Sequence, residues 1–294
     1  MNANFTPLRD NFCVLILSHG RAGNVTTIKT LESRGYTGPW YIVVDDTDKQ
    51  VEDYKALYGS DKVVVFDKQE MLAKTDTVDN FSELKTITYA RNVSFSIAKK
   101  LGYRYFVQLD DDYTSFEWRF LKEHGTKLGV QYLKHADYVF EAVLKFLDSS
   151  KDIATVALAQ GGDFIGGADN KNVRMKKPLR KAMNSFFCDT EKKFQYIGTF
   201  NEDVNTYTRL SMLGKMFFSV IDAAVVQGGT QQNAGGITES YKKYGTYVKS
   251  FYTVIVNPSA ARVKTMMCLH PRIHHIVKWN NCVPKLISEH WKKK

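Results

Sequence analysis

The sequence predicts an α/β fold, a parallel sheet covered by helices on both faces. Three observations point there. Short, continuously apolar runs recur through the first half of the chain, as in strands buried on both sides. Between them lie segments with apolar residues at helical spacing, so strand and helix alternate. Three of the runs are followed at once by a polar cluster, and in parallel sheets ligands bind just beyond the carboxyl ends of the strands.

The elements follow in order. Phe12-Cys13-Val14-Leu15-Ile16-Leu17 is a buried strand, closed by the turn-prone Ser18-His19-Gly20-Arg21-Ala22-Gly23-Asn24. Val25, Ile28 and Leu31 recur at helical spacing until Gly35 stops the helix. Gly38-Pro39 turns the chain into a second strand, Trp40-Tyr41-Ile42-Val43-Val44, which ends in Asp45-Asp46. A short helix over 51–58 leads to a third strand over 63–66. A long helix carrying Val93, Ile97 and Leu101 precedes a fourth strand, Tyr105-Phe106-Val107-Gln108-Leu109, ending in Asp110-Asp111-Asp112. The second half is less regular. It offers a charged helical region over 131–147, an apolar run over 153–158 and a glycine-rich segment over 161–167. A basic stretch, a helix over 204–213 behind Asn201-Glu202-Asp203, and turns at Gly228-Gly229 and Gly235-Gly236 follow.

Composition sets the outer bounds. The 294 residues are 44% hydrophobic and 24% charged, which excludes a disordered, collagen-like or low-complexity chain. That length fits one large domain or two closely joined halves, and no Pro-rich or Ser/Gly-rich linker divides it. The apolar runs reach about six residues, far short of the ~20 a membrane span needs. Met1 to Asp10 is polar and lacks a signal-peptide stretch. Cys13, Cys188, Cys268 and Cys282 form no C-x-x-C pair, so isolated core thiols in a reducing compartment are expected. A soluble, cytoplasmic protein is the expectation. A net charge of +10 suits a polyanionic partner (nucleic acid, an anionic membrane surface or a phosphorylated metabolite) or serves solubility alone.

The acidic triplet carries the most chemistry. Three adjacent carboxylates at the end of a buried strand repel one another unless a cation neutralises them. Hard oxygen ligands favour Mg2+ or Mn2+. Residues one and three of the triplet point the same way from an extended strand end, so Asp110 and Asp112 are expected to face one metal–diphosphate, unless the triplet is only a solvated helix-capping turn. Arg91 and Asn92, in the Tyr89-Ala90-Arg91-Asn92 helix just upstream, could reach the diphosphate and base of a nucleotide in the same crevice.

Together these segments resemble a GT-A glycosyltransferase, and longer stretches resemble the TET-associated glycosyltransferases in particular. The segments are S-H-G-R-A-G-N-V-T-T-I-K-T-L, Q-L-D-D-D-Y-T-S-F, A-Q-G-G-D-F-I-G-G, N-E-D-V-N-T-Y, G-T-Y-V-K-S-F-Y and R-I-H-H-I-V-K-W-N-N-C-V-P-K, spread from residue 12 to 287. That family occurs in bacteriophage genomes and is held to glycosylate hydroxymethylated pyrimidines in DNA. The resemblance implies a GT-A-like, Rossmann-type mixed sheet with helices on both faces. It implies one continuous domain, with a nucleotide-sugar half over 1–113 and an acceptor-binding, catalytic half over 114–294. Asp110 and Asp112 would hold Mn2+ or Mg2+, with a late histidine, His275 or His274, as a further ligand. Adjacent residues on a strand face opposite ways, so one of the two is expected to coordinate. Ser18, Gly20, Arg21, Asn24, Asp45, Asp46, Arg91, Asn92, Asp110 and Asp111 would line the UDP-sugar.

Glu202 and Asp203 match the position of the base in inverting relatives, since an acceptor hydroxyl needs a carboxylate in reach to take its proton. Capping the following helix is a compatible role. Lys171, Arg174, Lys176, Lys177, Arg180 and Lys181 put six cations into eleven residues with no acid among them, a pattern suited to phosphates of DNA. Phe164, Phe186, Phe187 and Tyr196 could stack on an extruded base, though core positions are the simpler expectation for most. The implied activity is transfer of a sugar from a UDP-sugar to 5-hydroxymethylcytosine in DNA, in the cytoplasm of a bacterial host if the gene is a phage's. A protein or small-molecule acceptor, or an inactive DNA-binding relative, are the alternatives.

Overall fold

The computed structural model describes residues 8–80, 86–122, 125–228, 247–267 and 271–285. Strands β1 (Phe12–Leu17), β2 (Trp40–Asp45), β3 (Val63–Phe66) and β4 (Tyr105–Asp110) pair in parallel in the order β3-β2-β1-β4. All six β1 side chains are buried, which is why that strand lacks polar alternation. The crossovers are α1 (Thr26–Ser33), α2 (Val51–Tyr58), α3 (Lys68–Lys74) and α4 (Thr88–Lys100).

The same sheet runs on through the second half. In chain order come β5 (Tyr113–Leu121), β6 (Leu128–Tyr132), α5 (Ala136–Asp148), β7 (Ile153–Ala159), α6 (Lys171–Met175), β8 (Phe186–Asp189), α7 (Glu202–Met212) and β9 (Met216–Gln227). Strand β8 lies antiparallel between β4 and β7, and the full order is β3-β2-β1-β4-β8-β7-β9-β5-β6. The fold is therefore a mixed α/β sheet with helices on both faces. Ile28 and Leu31 of α1 with Phe140, Val143 and Leu144 of α5 fill one face. Phe95 and Ile97 of α4 with Val204 and Tyr207 of α7 fill the other. Helix α8 (Val248–Val256) packs on a separate antiparallel ribbon, β10 (Ala261–Met266) and β11 (Arg272–Val277).

Several expectations need adjustment. The helix expected over 131–147 starts at Ala136, because Gln131 and Tyr132 close β6. The helix expected from Val204 starts at Glu202. Cys13, Cys188 and Cys282 are buried free thiols; Cys268, the Gly235-Gly236 turn and Gly229 lie outside the described residues. Phe164, Phe186, Phe187 and Tyr196 are all buried, so they belong to the core. Among the described residues no helix is long and apolar enough to cross a membrane.

Candidate active site

The polar clusters after β1, β2 and β4 meet at one edge of the sheet, as parallel pairing of those strands requires. Asp111 turns back toward the loop after β1. Its carboxylate accepts from Ser18 Oγ at 2.5 Å and from Arg21 Nη1 at 2.8 Å. The Tyr54 hydroxyl lies 2.7 Å from Ser18 Oγ and accepts the Arg21 amide at 2.9 Å. Gly20 sits in the left-handed region (φ +68°), where a side chain would be strained, and its amide donates to Asp48 Oδ2 at 2.7 Å. Asn24 is exposed at the end of this loop. Burial opposes the Arg21 charge, but Asp111, with Asp112 and Asp110 behind it, outweighs that and raises its pKa.

Asp45 is buried and surrounded by donors. Its Oδ2 takes His19 Nδ1 at 2.7 Å, and its Oδ1 takes the Thr47 amide at 3.1 Å, the Thr47 hydroxyl and Lys68 Nζ at 3.1 Å. Burial alone would raise its pKa; the hydrogen bonds from His19 and Thr47 and the charge of Lys68 win, holding it well below the usual carboxylate range. Asp46 is exposed and accepts the Lys68 amide at 3.0 Å.

Asp110 and Asp112 turn the other way from Asp111, as strand alternation requires. Gln227 Nε2 lies 2.9 Å from Asp112 Oδ1 and 3.4 Å from Asp110 Oδ2. Arg91, 1% exposed, lies with Nη2 3.6 Å from Asp110 Oδ1 and Nε 3.0 Å from Glu202 Oε1. Its guanidinium sits over the Phe186 ring at 4.5 Å. Burial raises Asp110 most; Arg91 pulls it down, and Asp112, Asp111 and Glu202 push it up again, to about 7. Asp110 Oδ1 and Arg91 Nη1 are buried without a hydrogen-bond partner. A carboxylate cluster short of positive charge, with an orphaned hard oxygen, fits a divalent cation such as Mg2+ or Mn2+. An unpartnered guanidinium N–H beside it fits a phosphate oxygen.

Asn92 departs from the expectation. Its amide donates to Tyr196 O at 3.0 Å and accepts Tyr196 N at 2.8 Å, so both ends are engaged in the core. Glu202 and Asp203 form the first turn of α7, both 8% exposed. Asp203 accepts the Val204 amide at 2.7 Å, so capping coexists with its place in the site. Burial and the Glu202 charge raise Asp203 to about 7.

His275 Nδ1 accepts from Asn201 Nδ2 at 3.2 Å, one residue before Glu202. Burial, then His274 and Lys249, lower His275 to about 4, leaving it neutral near pH 7. The two histidine rings lie against one another, with centroids 4.3 Å apart, rather than on opposite faces; a two-stranded ribbon twists strongly enough to allow this. Among the described residues no three His, Cys, Asp or Glu side chains converge into a metal site.

The basic segment is partly neutralised by acids that lie outside it. Arg174 binds Asp169 at 2.9 Å, Lys176 binds Asp222, and Lys181 binds the buried Asp163. Lys171, Lys177 and Arg180 are exposed and have no acidic partner among the described residues. The lysines at 292–294 lie outside the described residues. Sequence reasoning missed His19, Tyr54, Lys68 and Gln227. Of these, His19 alone had a signal, its place in the first strand-end cluster.

A parallel sheet edge with paired carboxylates, a buried arginine beside them and an acidic helix start opposite defines a nucleotide-sugar transferase type of site. Residues 12–236 match the TET-Associated Glycosyltransferase family, and the chain belongs to it. Among curated proteins none matches the sequence. Similar solved structures include a mannosyltransferase from Pyrobaculum calidifontis in complex with GDP-Man and Mn2+, at 11% identity and TM-score 0.44, covering 82% of this chain. This chain spans 64% of the length of that protein. Another is the glucosyl-3-phosphoglycerate synthase from Mycobacterium tuberculosis with Mn2+, UDP-Glc and phosphoglyceric acid. It has 12% identity and TM-score 0.45 over 92% of this chain and 95% of that one.

Proposed function

We propose that this glycosyltransferase moves a sugar from a UDP-sugar to the hydroxyl of 5-hydroxymethylcytosine in DNA. The observation that carries the reading is the line Asp110–Arg91–Glu202, with gaps of 3.6 and 3.0 Å. It joins the donor-side strand end to the helix start that holds the candidate base. In this reading residues 1–113 bind the donor and residues 114–294 supply base and acceptor surface, within one domain. Asp110 and Asp112 hold Mn2+ or Mg2+, with His275 or His274 as the further candidate ligand. When bound, that ion offsets the charge of the departing diphosphate. Arg91 holds Asp110 and Glu202 in place and offers its free N–H to the diphosphate.

Asp203 is the favoured base. Glu202 is tied to Arg91, whereas Asp203 has a raised pKa and so a stronger pull on a proton near neutral pH. In a direct displacement the acceptor oxygen bonds to the anomeric carbon as the bond to the diphosphate breaks. Asp203 receives the hydroxyl proton, and UDP leaves. The DNA acceptor rests on the family resemblance and on the exposed Lys171, Lys177 and Arg180, which have no acidic partner among the described residues.

Nucleoside mass spectrometry tests the whole reading. DNA containing hydroxymethylcytosine is incubated with the protein, Mn2+ and a panel of UDP-sugars. A hexose or pentose mass on the modified base, lost in Asp112→Ala, is the expected result. Donor hydrolysis without a DNA product would remove the DNA acceptor. DNA binding with neither product nor hydrolysis would leave an inactive binding relative.

A further inference from the structure

The polar edge after β1 and β2 invites the assumption that Asp45 touches the nucleoside itself. Its surroundings argue otherwise. Both of its oxygens are already engaged by the protein: Oδ2 by His19, Oδ1 by Thr47 and Lys68. Lys68 is itself buried, and its ammonium also reaches Thr47 Oγ1 at 3.3 Å. The neighbouring Asp48 is likewise committed, to the Gly20 amide at 2.7 Å and the Gln50 amide at 2.9 Å. Thr47 is exposed as well, but its hydroxyl donates to Asp45; His19, at 35% exposure, is the member that reaches solvent with a ring nitrogen to spare.

We propose that His19 is the side chain that reads the nucleoside of the donor, and that Asp45 is a positioning residue acting through it. The argument is one of proton placement. Asp45 is held ionised, and an ionised carboxylate can only accept. The ring nitrogen facing it, Nδ1, therefore carries the hydrogen. In the neutral ring Nε2 is then an acceptor, and it has no partner among the described residues. The group it recognises is a hydrogen-bond donor: the imide N–H of uracil or a hydroxyl of ribose. Lys68 and Thr47 fix Asp45, Asp45 fixes the ring, and the loop is pinned on its far side by the Gly20 amide on Asp48. This assignment rests on the reading of the crevice as a UDP-sugar site.

The test is calorimetric titration of the full chain with UDP in the presence of Mn2+, followed by donor kinetics. His19→Leu should weaken UDP binding about tenfold, the loss of one hydrogen bond in a partly buried site. It should raise donor KM while leaving kcat near that of the unaltered protein. His19→Gln, whose amide oxygen can stand in for Nε2, should recover most of the affinity. Asp45→Asn should also weaken UDP, but adding it to His19→Leu should cost nothing further, because its effect passes through the ring.

Analogues then separate the two donor groups. If the imide is read, 3-methyl-UDP loses affinity in the unaltered protein but not in His19→Leu. If ribose is read, 2′-deoxy- or 3′-deoxy-UDP behaves that way. Additive losses in the double variant would mean Asp45 touches the nucleoside directly, and the inference falls. Unchanged UDP binding in His19→Leu also overturns it, and this arm holds even if Asp45→Asn folds poorly. Failure of the unaltered chain to bind UDP overturns both this inference and the reading of the crevice beneath it. Binding with an indifferent His19→Leu overturns the inference alone.

Discussion

Arg91→Met examines the centre of the site without presupposing a substrate. Methionine matches the length of the arginine stem and keeps the contact with Phe186, where the guanidinium now sits 4.5 Å from the ring centroid. What it removes is the cation that lies between Asp110 and Glu202, at 3.6 and 3.0 Å. Breaking a buried pair by deleting one partner costs about 3–5 kcal/mol, here a shift in Tm on the order of 10 °C. The pH dependence identifies the cause. Free Asp and Glu titrate near about 4 in the unfolded chain. Asp110 is already at about 7 in the folded protein, and removing Arg91, the charge that pulls it down, sends it higher. An acid whose folded pKa is raised destabilises the fold as pH climbs from its unfolded toward its folded value. The gap between the two proteins should therefore be largest at pH 8 and much smaller at pH 5, where Asp110 is protonated in both. Urea denaturation followed by far-ultraviolet circular dichroism at the two pH values measures it. A gap below about 1 kcal/mol at pH 8, or an equal gap at both, would refute the charge network, because the buried-pair cost would then be absent.

Other outcomes follow from the same geometry. Asp203→Asn should lower kcat by roughly 10²–10⁴ with donor binding retained, read from steady-state kinetics with a UDP-sugar. In the unaltered protein kcat should fall as pH drops through about 7, where Asp203 gains its proton. Asp112→Asn should abolish the rise in Tm that Mn2+ with UDP confers, and a chelator should do the same to the unaltered chain; scanning fluorimetry reads both. Changing Lys171, Lys177 and Arg180 together to Gln should lower the slope of log affinity for duplex DNA against log salt by about 2.7. Arg174→Gln and Lys176→Gln, which break internal pairs, should change it less, as fluorescence anisotropy would record.

The first half was legible because its physics is local. A strand buried on both faces must be continuously apolar, so β1 to β4 stand out, and parallel pairing sends Ser18, Asp45 and Asp110 to one edge. The second half was harder. Strand β9 buries Phe217, Ser219, Ile221 and Ala223 on alternate positions, a period-two pattern diluted by small and polar residues. Strand β8 has only four residues. Partner choice was less legible still. That Asp111 faces Arg21, that Lys181 reaches Asp163 and that Asp45 is enclosed by Lys68 and His19 are long-range facts. A residue type at a strand end announces a charge, and only packing decides whether that charge faces a ligand or a neighbour.

Asn92 illustrates the distinction and explains how the two halves of the site come together. Strand β8 inserts beside β4 and sets Phe186 beneath Arg91. The chain beyond it runs back along α4, where Asn92 grips both backbone groups of Tyr196 and Thr88 Oγ1 donates to Gly198 O at 2.7 Å. Phe200 O is then taken by Asn205 Nδ2 at 2.9 Å. These bonds bring the chain to Asn201 and Glu202 beside the next side chain on the same helix, Arg91. Asn92 and Arg91 are adjacent in sequence and divide one task. The amide fixes the path of the incoming segment, and the guanidinium receives the carboxylate that the path delivers. A residue that resembled a ligand contact is thus the joint through which the acidic helix start reaches Arg91 and the end of β4.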